Sequence, residues 1–355
     1  MSKSLNDLSS SAPRLKWTHW HERLHIDLIK NPTLLPKKST LVLAVSGGQD
    51  SMAMVGLLVD LQRIHQWRIH IWHGDHSWHK GSKRIGLELK QWCTEKNLPI
   101  YVSTAQSKET KNEAKARQWR YQELFTETER ISSLRPQEPC QNVLTAHTAN
   151  DRAETLILNL ARGTDLAGLS SLHKSRQLNE EVQDKKVNLS RPMLCFSRED
   201  TLAICKELDL PIWIDPANQM EDFSRNKIRI KILPLLELLY PACTLRISKL
   251  SERLQGYKES QETLAKIAIR SLKNEKGLKR PELASIPSNA RILLLASWLK
   301  EKRVPKLTSK TLEDISWRIG KSKPPGSKSL ADRWYIIWDR ETILLERREI
   351  VSDRK

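Results

Sequence analysis

The chain has no cysteine pair: its five cysteines, Cys93, Cys140, Cys195, Cys205 and Cys243, stand far apart, with no C-x-x-C. That spacing speaks against a zinc cluster, a redox pair or a disulfide framework, and each cysteine reads as a small buried hydrophobe in a reducing compartment, the cytoplasm. Long apolar runs are also missing. None approaches the roughly 18 residues that a membrane span requires, and the Ser-rich first fourteen residues lack the apolar stretch of a signal peptide, so they read as a loose tail. No Gly-Lys-Ser/Thr follows the Gly47-Gly48 turn, so that turn is not a Walker A phosphate loop.

Positive charge is present in excess. Lys and Arg number 60 against 42 Asp and Glu, a net +18, and residues 222–355 hold 30 basic and 16 acidic side chains, which is +14 of that total. A single charge run is usually a solvated face, but an excess sustained over a whole region suggests a polyanionic partner, because phosphate contacts release counterions. At 355 residues the chain has room for an α/β domain with a second unit.

The periodicity divides the chain. A short leading helix is expected within Lys16 to Lys30, stopped by Pro32 and Pro36. Leu41 to Val45 is a β-prone apolar run ending at Gly47-Gly48, and Met52, Val55, Leu58, Val59 and Gln62 then follow a helical period. Strands at 68–73, 100–103 and 142–146 alternate with helices at 83–96, 112–129 and 150–160, the pattern of a Rossmann-like parallel sheet with helices on both faces. Residues 173–188 are polar and read as an exposed loop. Arg225 and Arg229 start a helix whose apolar face is Ile228, Ile232 and Leu235. Leu245 through Leu272 fits a long amphipathic helix, with two more at 290–300 and 311–319, and Trp334–Trp338 with Thr342–Glu346 reads as a terminal hairpin. The expected organisation is a tail and leading helix over 1–36, a catalytic domain over 37–216, and a smaller, basic, mainly helical domain over 217–355.

Ser46-Gly47-Gly48-Gln49-Asp50-Ser51 lies between a buried strand and a helix N-terminus, where unpaired N–H groups and the helix dipole favour an anion. Two glycines let the backbone approach phosphate oxygens, the serines add hydroxyl donors, and Asp50 can hold a metal ion or orient an amine. The complete S-G-G-x-D-S resembles the PP-loop of N-type ATP pyrophosphatases, enzymes that cleave ATP to AMP and pyrophosphate while activating a carbonyl or carboxyl oxygen.

Further segments narrow the resemblance. They are His73-Gly74-Asp75-His76, Asn112-Glu113-Ala114-Lys115-Ala116-Arg117-Gln118-Trp119-Arg120-Tyr121, Thr145-Ala146-His147-Thr148-Ala149-Asn150-Asp151-Arg152-Ala153-Glu154-Thr155, Arg162-Gly163-Thr164, Arg191-Pro192, Asp215-Pro216-Ala217-Asn218 and Arg225-Asn226-Lys227-Ile228-Arg229. In this order they resemble the tRNA(Ile)-lysidine synthase family over roughly residues 20–240. Thr148 and Asn150 depart from that family's paired histidines and Ala-Asp-Asp, and Ser77-Trp78-His79 stands where it has Gly-Leu-Arg or Gly-Trp-Arg.

The resemblance implies that ATP, with Mg²⁺ at Asp50, binds at Ser46, Gly47, Gly48, Gln49, Asp50 and Ser51, and that Asp50, His147 and Asp151 are catalytic. Substrate-binding candidates are Asp75, His76, Glu113, Arg117, Arg120, Glu154, Arg225 and Arg229. The implied partners are a CAU-anticodon tRNA(Ile) and free L-lysine, with no membrane and no stable protein partner, the choice between monomer and homodimer being open. Bland readings stand beside these. Asp151 can be a helix cap, Glu113 and Arg117 a surface i, i+4 pair, and Arg225 and Arg229 solvated charges. The alternatives for the whole chain are a tRNA thiolase, disfavoured by the missing cysteine pair, and a non-catalytic RNA-binding protein on the same scaffold.

Overall fold

The computed structural model describes residues 17–77, 81–106, 109–110, 113–178, 186–213 and 224–348. Helix α1 (His19–Lys30) leads into β1 (Thr40–Ala44), α2 (Gln49–His65), β2 (Arg68–Asp75), α3 (Ser82–Glu95), β3 (Ile100–Thr104), α4 (Glu113–Leu134), β4 (Asn142–Thr145), α5 (Ala149–Ala161) and the short α6 (Leu166–Leu169). Then come β5 (Ser175–Gln177), β6 (Asn188–Ser190), a 3-10 turn at Pro192–Cys195, α7 (Arg198–Glu207), α8 (Ser224–Lys227), a π-helical turn at Ile228–Ile232, α9 (Leu233–Leu239) and α10 (Cys243–Leu272).

The strand order is β3-β2-β1-β4-β6-β5, parallel except for β5, which runs antiparallel to β6. Alternation along the strands builds two cores. Leu41 and Leu43 of β1, Ile69 and Ile71 of β2 and Leu144 of β4 join α1, α2, α3 and α7 on one face. Val42, Trp72, Val143 and Leu189 meet Trp119, Leu124, Phe125 and Ile131 of α4 on the other. The two neighbours of β1 are β2 and β4, so the chain reverses its direction of winding there, and the crevice at the carboxyl ends of these strands is the expected ligand site.

Part of the polar stretch expected as a loop is instead sheet: β5 and the start of β6 add an edge pair, with 179–185 outside the described residues. β5 is the edge strand and tolerates polar side chains on both faces, which is why hydropathy did not reveal it.

The arginine-bearing segment also differs from expectation. Ile228 is 6% and Leu233 3% exposed, whereas Ile232 and Leu235 are 42% and 56% exposed. The π-helical turn is the reason: the Leu233 N–H reaches the Ile228 carbonyl, so the wider turn brings residue i+5, and not i+4, back onto the α5 side.

The chain divides into two compact units, one ending at Gln255 and the other beginning at Gly256. This is later than the expected boundary at 216/217, because Ile228 and Leu233 pack with Ala153 of α5, and Ser251 and Glu252 bond to Leu169, Arg152 and Lys174. The second unit contains β7 (Leu278–Lys279), α11 (Arg280–Ser285), α12 (Ser288–Glu301), α13 (Ser309–Ile319), β8 (Gly326–Ser329), β9 (Trp334–Trp338) and β10 (Thr342–Arg347). The expected hairpin is β9–β10, its turn closed by Asp339 accepting from the Glu341 and Thr342 N–H groups. It belongs to a four-stranded antiparallel sheet, β7-β10-β9-β8. Leu283, Leu295, Trp298, Ile315, Ile336 and Ile343 form the core of this unit.

Candidate active site

The loop after β1 is shaped for an anion. Gly47 has φ +88, a conformation that favours glycine, and a Cβ there would lie 3.2 Å from Ile85 Cγ2. Its carbonyl accepts the Trp213 N–H at 2.9 Å. Gly48 caps α2 without a side chain, so the first N–H groups of the helix face outward with the positive end of its dipole. The Ser51 hydroxyl donates to the Gly48 carbonyl at 2.8 Å and lies 3.3 Å from the Ser46 hydroxyl.

Around this loop is a cleft of about 350 Å³ whose walls include Ser46, Gly48, Asp50, Ser51, His73, Asp75, His76, Arg120, His147, Asp151, Arg198 and Arg229. Loop ends from β1, β2 and β4 thus converge with α4, α7 and the π-helical turn. His73 donates Nδ1–H to the Val45 carbonyl at 2.8 Å, and burial lowers its pKa. Asp75 accepts the Ser77 N–H at 2.8 Å, and Arg120 Nη2 lies 3.2 Å from His76 Nε2.

Asp50, in the first turn of α2, accepts the Thr201 hydroxyl at 2.5 Å and lies 3.3 Å from Arg198 Nε. Burial raises its carboxyl above the ordinary value, more strongly than Arg198 and Thr201 lower it, and the Asp151 charge adds to the rise. Gln49 is turned away. Its amide donates to the Arg198 carbonyl and the Thr201 hydroxyl at 2.8 and 3.1 Å, which leaves only its backbone for a phosphate.

His147 accepts or donates through Nδ1 to the Thr145 hydroxyl at 2.9 Å. Burial, aided by Arg191, Arg225 and Arg120, lowers its pKa despite Asp151, so the ring is neutral near pH 7. Asp151 does cap α5: its Oδ2 accepts the Thr148 N–H at 2.8 Å, while Oδ1 accepts Arg225 Nη2 at 2.9 Å. Burial opposes its charge, but the favourable contacts outweigh it and hold the carboxyl below the ordinary value. With His147 neutral, the contacts that act at pH 7 are Arg225, the Thr148 N–H and Arg229.

Some candidates are placed elsewhere. Glu154 is fully buried and binds Arg225 Nε at 2.7 Å and Arg229 Nε at 2.6 Å, so it clamps the arginines and does not line the cleft. Arg225 is held between Glu154 and Asp151, half-buried and outside the cleft wall. Arg117 is exposed, with its guanidinium 5.4 Å from the Tyr121 ring centre, outside the cleft wall. His79, Asp215-Pro216-Ala217-Asn218 and the Glu113 side chain fall outside the described residues. Arg198 and Thr201 are additions that sequence reading missed. The only sequence mark nearby is the Ser197/Asp200 capping box of α7, which says nothing of a partner some 150 residues earlier.

Comparison with known proteins decides the family. The PP-loop domain family matches residues 20–236. A curated tRNA(Ile)-lysidine synthase of Prochlorococcus marinus is 46% identical over 93% of this chain and 96% of its own length. The chain belongs to the tRNA(Ile)-lysidine synthase family. A second member, from Parasynechococcus marenigrum, is 44% identical over 94% of this chain and 96% of its own. Membership makes the chain an ATP-dependent enzyme of tRNA modification. Among solved structures, a tRNA thiolase of Methanococcus maripaludis shares the fold at a TM-score of 0.50 and 17% identity, covering 66% of this chain and 78% of its own.

Proposed function

We propose that this enzyme activates O2 of the wobble cytidine in a CAU-anticodon tRNA(Ile) with ATP and replaces it with the ε-amine of free lysine. The cytidine C2 carbonyl is a poor electrophile. In the first step O2 attacks the α-phosphorus and pyrophosphate leaves; in the second the lysine nitrogen attacks C2 and AMP leaves with the oxygen.

The observation that carries the reading is the facing arrangement, across one cleft, of the Ser46–Ser51 loop and the His147/Asp151 edge of β4 and α5. The loop's N–H groups and hydroxyls suit the phosphates, where fixed donors stabilise charge that develops in the transition state. His147, neutral at pH 7, suits hydrogen bonding to a phosphate oxygen without a proton change. Asp151 keeps a negative charge and suits the ammonium of lysine, which must lose a proton before it attacks.

Asp50 fits Mg²⁺ as the single carboxylate of a site otherwise completed by phosphate oxygens and water, the usual way this ion is held beside nucleotides. No group of three or more His, Cys, Asp or Glu among the described residues forms an all-protein metal cage. When bound there, the ion neutralises phosphate charge.

The positive charge concentrated in residues 222–355 suits docking of the tRNA body, and among the described residues no helix is long and apolar enough to cross a membrane. All five cysteines are free and none lines the cleft, which leaves the thiolase reading without its sulfur chemistry. Incubation with ATP, labelled lysine and CAU-anticodon tRNA tests the proposal: label should become RNA-bound, and label that stays free contradicts it.

A further inference from the structure

Three arginines from separate segments close on one phenol ring. Arg117 of α4 and Arg176 of β5 place their guanidinium carbons 5.4 and 4.9 Å from the centre of the Tyr121 ring. Arg191, which precedes the 3-10 turn, is 2% exposed and donates Nη1 to the His173 carbonyl at 2.6 Å, and its charge acts on the Tyr121 phenol. Among the described residues none of the three forms an ion pair with a carboxylate, in contrast to Arg225 and Arg229, which share two.

A stack of cation on aromatic ring contributes only modestly at exposed sites. Burying an uncompensated cation costs more, and Arg191 shows the cost: burial pushes its pKa down to about 10, and its buried Nε has no hydrogen-bond partner. Such a cluster is incomplete without an anion.

Its position says which one. Arg120, adjacent to Tyr121 in α4, lines the cleft, and the charge of Arg191 reaches His147 there. The phosphates of ATP already have the loop after β1. A nucleotide whose base enters the cleft must leave its stack, and contacts to neighbouring phosphates fix its register.

We propose that Arg117, Arg176 and Arg191, gathered around Tyr121, bind a backbone phosphate of the tRNA beside the nucleotide that reacts in the cleft. The proposal rests on tRNA being the substrate. It adds an RNA-binding point on the sheet-bearing unit, separate from the basic C-terminal region.

Arg117→Gln combined with Arg176→Gln removes the two accessible charges and leaves buried Arg191 in place; Arg176→Gln alone is the milder variant. We expect the double variant to bind tRNA about tenfold more weakly, and the slope of log K against log salt to shrink by about 0.7–0.9 for each phosphate that is no longer neutralised. ATP affinity should stay at the parent value. Arg117→Lys with Arg176→Lys keeps the charges and should recover most of the slope. Parent-like tRNA affinity and slope in both Gln variants overturn the inference, provided the parent binds tRNA and incorporates lysine. Weakened ATP binding with intact tRNA binding also overturns it, since the cluster then serves the triphosphate. A parent chain that binds no tRNA overturns the inference and the substrate reading together.

Discussion

Arg198 Nε lies 3.3 Å from Asp50 Oδ2, and the helix that carries Arg198 also supplies the Thr201 hydroxyl to the same carboxylate. Two donors from α7 therefore fix the orientation of the acidic group in the phosphate loop. They also partly offset the burial that raises its pKa. Asp50→Asn keeps the shape and removes the charge. Pyrophosphate release should fall by about 10²-fold or more, the scale on which removal of an electrostatic group acts, with the thermal midpoint nearly unchanged. Turnover close to the parent's removes Asp50 from the chemistry.

Glu154 answers to a different assay. Because it is fully buried between Arg225 and Arg229, Glu154→Gln leaves two arginines short of a carboxylate. Breaking a buried pair costs about 3–5 kcal/mol, and the lower end applies here because the arginines are 26% and 21% exposed and keep Asp151 nearby. Urea unfolding should show a loss of about 3 kcal/mol. A loss below about 1 kcal/mol contradicts the clamp.

The π-helical turn makes a prediction that an ordinary helix would reverse. Leu233→Ala should cost about 2–5 kcal/mol as a core truncation, whereas Leu235→Ala, at an exposed position, should stay within about 0.5 kcal/mol. Equal costs at the two positions, or a larger one at Leu235, restore the ordinary helical register.

Local signals made the sheet legible from sequence: Leu41–Val45 is an apolar run, and the residues of its glycine loop themselves announce phosphate chemistry. The polar edge strand Ser175–Gln177 was not legible, since an edge needs no apolar alternation. The π-helical turn was hidden because a one-residue widening leaves no mark in composition. Arg198 was hidden because its role comes from α7 packing beside α2, a tertiary fact. The cap reading of Asp151 does not exclude a place in the site: it caps α5 with one oxygen and lines the cleft.

Histidine burial sets an acid limb on stability. His65 stacks on Trp67 with ring centres 4.2 Å apart and touches His25 through nitrogens 3.0 Å apart. Burial, followed by the charges of His25 and Lys37, lowers its pKa from 6.5 to about 4. The unfolded chain then binds more protons than the folded one below pH 6.5, so this contribution is complete above 6.5 and is lost as pH falls toward 4. His65→Phe, which keeps an aromatic ring against Trp67, should flatten unfolding free energy across that window. An unchanged acid limb contradicts the assignment to His65.

The most direct measurement of the central claim follows the nucleotide products when ATP is mixed with the enzyme, omitting lysine and CAU-anticodon tRNA in turn. The account predicts AMP and pyrophosphate in equal amounts, with sustained turnover only when both lysine and tRNA are present. Release of ADP and phosphate, or AMP formation indifferent to tRNA, contradicts it.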